Sequence, residues 1–235
     1  MSVRLRDYTD NRERMQALMD LPRAPVIEDA RETFDPAQAV GVDMNDGAVT
    51  LPDAEYPAVG TVALATCIGV IAHNPATKAT GIVHVVSEGA ESYPSEASQE
   101  SLEHMLNSVS GGYGQPIEAR IVGAHIGADL QNGILNHIAD LLAEYDATVL
   151  TADIKGKPGP KDVAVHAARW DEGIIRGSVD MVNFMGDPDT GGVPEMVRQR
   201  QQCLDLEGMS WLGSRPGGLV YDATKSDGPE PEHSL

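Results

Sequence analysis

A cysteine and a histidine of this chain have residue types and a spacing that could support covalent catalysis. Cys67 lies in an apolar, partly β-branched run, and His84 follows it by seventeen residues in a second apolar run. Cysteine attacks carbonyl carbon as the thiolate, and histidine is its usual base because the pKa of imidazole lies near neutrality. The pair therefore predicts attack by Cys67 on a carbonyl substrate, with His84 holding or receiving the thiol proton.

The predicted local structure brings Cys67 and His84 close together. Residues 61–73 predict either a buried strand pair or a strand that leads into a helix, and residues 81–86 predict a further strand. A hairpin turn is predicted over residues 74–80, and neighbouring strands of a sheet lie about 4.8 Å apart. Such sites normally use a third group to orient the imidazole, and the N–H of the nucleophile often stabilises the oxyanion.

The rest of the pattern mixes helices, strands and hairpins, which favours an α+β fold over a regular parallel α/β fold. Apolar positions at helical spacing predict two helices, and strands and a Gly- and Pro-rich turn are predicted around them. The helices are expected over residues 95–110 and 130–145, the strands at residues 117–124, 147–152, 162–170 and 173–179, and the turn at residues 155–160. These elements make up a predicted core over residues 59–180.

The two ends of the chain differ from this core in composition. Residues 1–58 predict an N-terminal extension that begins with a helix and has one short strand near residues 48–51. Residues 181–223 predict a C-terminal extension of loop and helix that packs on the core. Residues 224–235 have almost no apolar side chains, which predicts a disordered acidic tail.

The charge of the chain argues against two classes of partner. It has 36 acidic residues against 17 basic ones, and a formal net charge of −19 repels nucleic-acid phosphates and anionic membrane surfaces. No apolar run is long enough for a transmembrane helix, and the charged N-terminus lacks the apolar stretch of a secretory signal, so a cytoplasmic protein is expected. The acid-rich, lysine-poor composition fits a halophilic source or an ordinary acidic protein equally well.

Several residues have a plain structural explanation beside a chemical one. Cys67 and Cys203 are too few for a disulfide framework. The histidines at positions 73, 125 and 166 lack the paired spacing of metal ligands. Cys67 taken alone fits a buried small hydrophobe, and His84 taken alone fits a satisfied core histidine.

The residues around the pair also follow a pattern known from one protein family. Thr61 lies six residues before Cys67, Pro75 lies eight after it, and Gly81 lies three before His84. Similar segments follow in the same order: Glu118-Ala-Arg-Ile-Val-Gly123, Asn132 to Leu142, and Asp153-Ile-Lys-Gly-Lys-Pro-Gly. Over residues 55–178 the chain resembles the CheD family of chemoreceptor glutamine deamidases.

The resemblance implies a layered α+β fold, with β-sheets packed together in a sandwich-like way and helices outside, as in bacterial toxins such as cytotoxic necrotizing factor. It implies that Cys67 attacks a glutamine side-chain amide while its own N–H stabilises the oxyanion. His84 would hold the thiolate as an ion pair and then protonate the departing ammonia, and Thr61 would position His84. No metal or organic cofactor is implied. The implied partners are a protein with an exposed glutamine, such as a chemoreceptor, and a regulatory protein.

Three functions stay open on the sequence alone. The first is a protein-glutamine deamidase, either chemoreceptor-type or toxin-like. The second is another cysteine amidase or peptidase on the same scaffold. The third is a catalytically silent binding module, because relatives of this family also dock onto partner proteins.

Overall fold

The computed structural model describes residues 1–62, 64, 67–88, 93–111, 115–123, 128–154, 162–177, 210–211 and 220–224. The strands are β1 (Val3–Arg4), β2 (Ala39–Val42), β3 (Gly47–Thr50), β4 (Ala58–Thr61), β5 (Ile68–His73), β6 (Thr80–Val85), β7 (Ser87–Glu88), β8 (Tyr93–Pro94), β9 (Glu118–Gly123), β10 (Thr148–Asp153), β11 (Asp162–His166), β12 (Ile175–Gly177), β13 (Ser210–Trp211) and β14 (Val220–Asp222). The α-helices are α1 (Asn11–Met19), α2 (Ala30–Thr33), α3 (Glu96–Ser110) and α4 (Ala128–Glu144), and short 3-10 helices span Leu5–Asp7, Pro36–Gln38 and Ala167–Glu172.

Two mixed β-sheets form the centre of the fold. The larger sheet has the strand order β1-β10-β9-β5-β6-β3-β14, and the smaller sheet has the order β12-β11-β4-β2-β13. In the larger sheet β5 pairs with both β6 and β9 in antiparallel fashion. Strands β7 and β8 form a separate small hairpin beside these sheets.

The two faces of the larger sheet pack against different layers. Val70 and Val83 belong to a cluster with Leu106 of α3 and Ile138 of α4. Ile71 and its neighbours on the other face pack against the smaller sheet. Side chains alternate between faces along a strand, and each fully buried aliphatic side chain contributes about 1.5–3 kcal/mol. The result is the expected layered α+β fold, with an apolar layer between the sheets.

Several predicted elements are confirmed. The two predicted helices are α3 and α4, and the predicted hairpin around residues 74–80 joins β5 to β6. Helix α3 begins where Ser95 accepts a hydrogen bond from the N–H of Ser98, and it ends at Gly111 with φ 62°. These are the side-chain cap and the left-handed terminus that the Ser and Gly residues favour.

Other predictions need correction. The strand expected at residues 162–170 ends at His166 and continues as a 3-10 helix. The one strand expected within residues 1–58, near residues 48–51, is β3, but β1 and β2 lie there as well. Strand β1 pairs with β10, β2 pairs with β4, and β3 pairs with β6. This part of the chain therefore contributes to both sheets. Strands β2 and β3 have four residues each and consist of Gly, Ala, Val and Thr, so they are too short to show a clear alternation.

The remaining expectations fall largely outside the described residues. These include the turn at residues 155–160, the helix of the C-terminal extension and the tail after Thr224. Among the helices of the described part of the chain, none is long and apolar enough to cross a membrane.

Two glycines with positive φ test how the N-terminal segment is attached to the core. A Cβ on Gly173 (φ 132°) would lie 2.1 Å from the carbonyl oxygen of Pro25, whereas a Cβ on Gly111 (φ 62°) would meet nothing within 4 Å. We expect Gly111→Ala to lower the free energy of unfolding by about 1–2 kcal/mol, the cost of a left-handed alanine. We expect Gly173→Ala to lower the free energy of unfolding by at least twice as much, because the backbone at Pro25 must move to make room for the new Cβ. Urea denaturation of both variants measures the two losses. Equal losses would contradict this close contact.

Candidate active site

The β5–β6 hairpin places Cys67 and His84 on one face of the larger sheet. Cys67 immediately precedes β5, and the register pairs Gly69 of β5 with His84 of β6. Because residues two apart along a strand share a face, Cys67 and His84 are diagonal neighbours. Cys67 packs in the layer between the sheets together with Ile71 and Ile82. Cys67 is 7% exposed and His84 is 2% exposed, so the pair is almost closed to solvent.

Thr61 reaches the same layer from the opposite sheet. It is the last residue of β4, and its Oγ1 lies 2.8 Å from Nδ1 of His84 and 2.7 Å from the carbonyl oxygen of Val42. A carbonyl oxygen only accepts hydrogen bonds, so the hydroxyl donates its single proton to Val42. Oγ1 of Thr61 must then accept from Nδ1–H of His84. This contact selects the tautomer of neutral His84 that has its lone pair on Nε2.

Burial determines the charge of His84. Removal from solvent lowers the pKa of His84 from 6.5 to about 4, and the nearby carboxylate of Asp43 opposes this with a smaller effect. The imidazole is therefore neutral at neutral pH. The family resemblance implied an imidazolium paired with a thiolate. The structure instead favours a neutral base at rest, because the apolar layer disfavours the charged ring.

The second ring nitrogen of His84 is buried without a hydrogen-bond partner among the described residues. The thiol of Cys67 is among the groups that form no hydrogen bond with this Nε2. Diagonal neighbours across two strands are separated by about 7–8 Å, so the side chains of Cys67 and His84 must rotate to meet. A buried acceptor without a partner is costly, and a proton from the thiol would satisfy it.

Leu64 covers the sheet beside the pair. A Cβ on Gly69 would lie 2.9 Å from Cδ1 of Leu64. Because Gly69 has no side chain, Leu64 can pack over it, next to His84 on the paired strand. Leu64 is fully buried and comes from the connection between β4 and β5. Its position contributes to the exclusion of water that keeps His84 neutral.

A second histidine provides an internal comparison. Nδ1 of His73 lies 2.8 Å from Oγ1 of Thr80, and its ring stacks on Trp170 with centroids 4.7 Å apart. Burial is also the main cause that lowers the pKa of His73 to about 4. A threonine contact and burial therefore do not by themselves identify a catalytic histidine. His84 differs because its buried Nε2 has no partner among the residues that the structure describes and because Cys67 lies diagonally across from it.

The structure also shows what the other candidate residues do. Nδ1 of His166 accepts a hydrogen bond from the N–H of Ala168 and caps the 3-10 helix that follows. His125 and Cys203 lie outside the described residues. Within the described ranges, no group of three His, Cys, Asp or Glu side chains is placed to hold a metal ion. The sequence carried no signal for Leu64, whose role depends on packing.

The two buried histidines predict a loss of stability in acid. A histidine with pKa about 4 in the folded protein and 6.5 in the unfolded chain takes up a proton on unfolding between these pH values. The free energy of unfolding therefore falls as the pH decreases from 6.5 towards 4. We expect His84→Gln to flatten this slope by up to about 1.4 kcal/mol per pH unit, because Gln does not titrate.

Urea denaturation across this pH range measures the slope. His73→Gln is the matched variant and should flatten it in the same way. The account of the buried neutral rings is wrong if neither variant changes the slope.

The contact between Thr61 and His84 predicts a specific effect on Cys67. Thr61→Val removes the group that accepts from Nδ1–H, so the Nε2 lone pair is no longer enforced. We expect alkylation of Cys67 by iodoacetamide, followed on its own peptide by mass spectrometry, to slow by about tenfold or more. Thr80→Val removes the matching contact of His73 and should leave this rate unchanged. Equal rates in the two variants would contradict a role for Thr61 in orienting the base.

Because no protein-family model matches the chain and a search of curated proteins found no match, a functional assignment depends on the geometry of the site. The arrangement that any proposed function must explain is a buried, neutral His84, oriented by Thr61 from the opposite sheet and lying diagonally across from Cys67.

Proposed function

We propose that this protein is a cysteine hydrolase of side-chain amides, acting as a protein-glutamine deamidase. Cys67 is the nucleophile, His84 is the base and Thr61 orients His84. One observation carries the proposal: the contacts of Thr61 place the proton of neutral His84 on Nδ1 and its lone pair on a buried Nε2 that has no partner among the described residues. The resemblance of this segment to CheD deamidases supports the same roles.

The first half of the reaction forms a thioester. Nε2 of His84 accepts the thiol proton as Sγ of Cys67 attacks the carbonyl carbon of the glutamine amide. As the resemblance to CheD deamidases implies, the N–H of Cys67 would donate to the oxyanion as it develops. When the tetrahedral intermediate collapses, the C–N bond breaks and His84 returns the proton to the leaving nitrogen. Ammonia departs, and the acyl group stays on sulfur.

The second half uses the same base for hydrolysis. Nε2 of His84 takes a proton from water as the water oxygen attacks the thioester carbon. The C–S bond then breaks, the sulfur of Cys67 regains the proton from His84, and glutamate is released. The neutral resting state of His84 suits both halves, because a base must begin each of them without a proton.

The enclosure of the site supports a side-chain amide as the substrate. Cys67 and His84 are 7% and 2% exposed, so a group must be slender to reach them. A glutamine side chain is unbranched and ends in its amide, whereas a backbone amide would bring two flanking residues into the layer between the sheets. The proposal further assigns a cytoplasmic location and a protein substrate with an exposed glutamine, such as a chemoreceptor.

One observation favours a second candidate, a binding module on the same scaffold. In the described part of the chain Cys67 and His84 are not hydrogen-bonded to each other, and both are almost fully buried. A buried cysteine behaves as a small hydrophobe when nothing activates it. In that case the protein would act by docking onto a partner, without changing it chemically.

A direct assay separates these functions. The protein is incubated with a mixture of short peptides that each contain one glutamine, and ammonia and peptide mass are followed. We expect ammonia release with conversion of glutamine to glutamate, and loss of at least about a hundredfold in rate for Cys67→Ala and His84→Ala. His73→Ala is the matched histidine control and should keep most of the activity.

Peptides with asparagine in place of glutamine test the reach of the site, since their amide is one methylene closer to the backbone. They should react more slowly. Cleavage of the peptide backbone would favour a peptidase, and no reaction with any peptide would favour the binding module.

A further inference from the structure

A β-bulge lies directly opposite His84. The N–H of His84 donates to the carbonyl oxygen of Asp46 at 3.0 Å, and the N–H of Asn45 donates to the carbonyl oxygen of His84 at 3.0 Å. Two consecutive residues thus face one residue of β6, just before the regular pairing of β3 begins at Gly47. Bulges of this kind bend a strand and change the direction in which a neighbouring side chain points.

Asn45 adopts the left-handed conformation that the bulge requires, with φ 71°. Asparagine tolerates this region better than most residues, but glycine has the lower cost. A side chain at this position therefore needs an explanation beyond the backbone. The hydrogen bonds of Asn45 supply it.

The side chain of Asn45 connects the bulge to helix α3. Its Oδ1 accepts hydrogen bonds from the hydroxyls of Ser95 at 2.6 Å and Ser98 at 2.7 Å, and its carbonyl oxygen accepts one from Ser101 at 2.6 Å. The hydroxyl oxygen of Ser98 also accepts from the N–H of Val86, two residues after His84, at 2.9 Å. The end of β6 is thus held from both sides by one polar cluster.

We propose that Asn45 is a positioning residue for His84: by locking the bulge to the start of α3, it sets the direction of the imidazole towards Thr61 and Cys67. This inference rests on the proposed function. Asn45 does not touch the substrate or the reacting atoms. It acts through the backbone of His84, where a small rotation of β6 would move Nε2 away from the thiol.

The turn of the β5–β6 hairpin, at the end far from Cys67, contains an asparagine that serves as a matched control. Asn74 follows β5, and its side chain donates to the carbonyl oxygen of Val109 in α3 at 3.0 Å. Its Oδ1 accepts from the N–H groups of Ala76 and Thr77. Asn74 thus ties the hairpin to α3 as Asn45 does, but it lies at the His73 end, away from Cys67.

The test is the pH profile of Cys67 alkylation in the full chain. An ordinary thiol with pKa near 8.5 loses alkylation rate by about tenfold per pH unit below that value. The wild-type profile should be flatter, because His84 accepts the proton, and His84→Ala should restore the steep profile.

Asn45→Gly keeps the left-handed backbone and removes Oδ1. We expect it to slow alkylation at neutral pH by about tenfold or more and to steepen the profile.

Two further variants separate positioning from stability. Asn45→Asp keeps an oxygen for both serine hydroxyls and should restore the wild-type profile. Asn74→Gly should lower the free energy of unfolding while leaving the profile unchanged. If Asn45→Gly does not fold, Ser98→Ala removes one donor to Oδ1 and should show the same steepening.

The outcomes distinguish the two proposals. A steep wild-type profile that His84→Ala does not change would overturn the proposed function and this inference together. A flat wild-type profile that is steep in His84→Ala but remains flat in Asn45→Gly and Ser98→Ala would overturn the role of Asn45 alone. A steepened profile in Asn74→Gly would also overturn it, because the effect would then follow stability.

Discussion

The hydrogen bond between Thr61 and His84 is the interaction on which the arrangement of the site depends. It joins the two sheets through an apolar layer, where each polar group needs a partner. The hydroxyl of Thr61 donates its proton to the carbonyl oxygen of Val42 in its own sheet and accepts a hydrogen bond from Nδ1–H of His84 in the other sheet. One hydroxyl therefore fixes the tautomer of the imidazole and holds the sheets in a defined relation.

The rest of the fold supplies the conditions under which that bond matters. The β5–β6 hairpin brings Cys67 and His84 to one face, and Leu64 covers the place opposite His84. The same enclosure lowers the pKa of His84, so the ring that Thr61 orients is neutral. A solvent-exposed pair with the same spacing would exchange protons with water and would gain little from a fixed tautomer. Burial, tautomer and strand register thus contribute to a single chemical property, a base with its lone pair directed inwards.

The spacing of Cys67 and His84 was enough to predict a shared hairpin, because two apolar runs joined by a short turn leave few alternatives. The register then follows from the turn. The contacts on the far side of the site could not be predicted in the same way. Val42 and Asn45 come from strands and turns within residues 39–50, where runs of Gly, Ala and Val show no usable period. Their importance arises only when the second sheet packs on the first.

The charge state of the site shows a second limit of sequence patterns. A cysteine and histidine pair is compatible with a thiolate and imidazolium or with a thiol and neutral imidazole, and residue types do not distinguish these. Enclosure by Leu64 and the smaller sheet favours the neutral imidazole, since the desolvation of a charged ring is expensive. The proposed mechanism therefore uses the residues that the sequence indicated and begins from a neutral His84.

The most direct test of this account is nuclear magnetic resonance of the His84 ring nitrogens in isotopically labelled protein. The account predicts a neutral ring at neutral pH with the proton on Nδ1, and a titration that begins only as the pH approaches about 4. A proton on Nε2, or an imidazolium at neutral pH, would contradict it, because His84 could not then accept the thiol proton of Cys67.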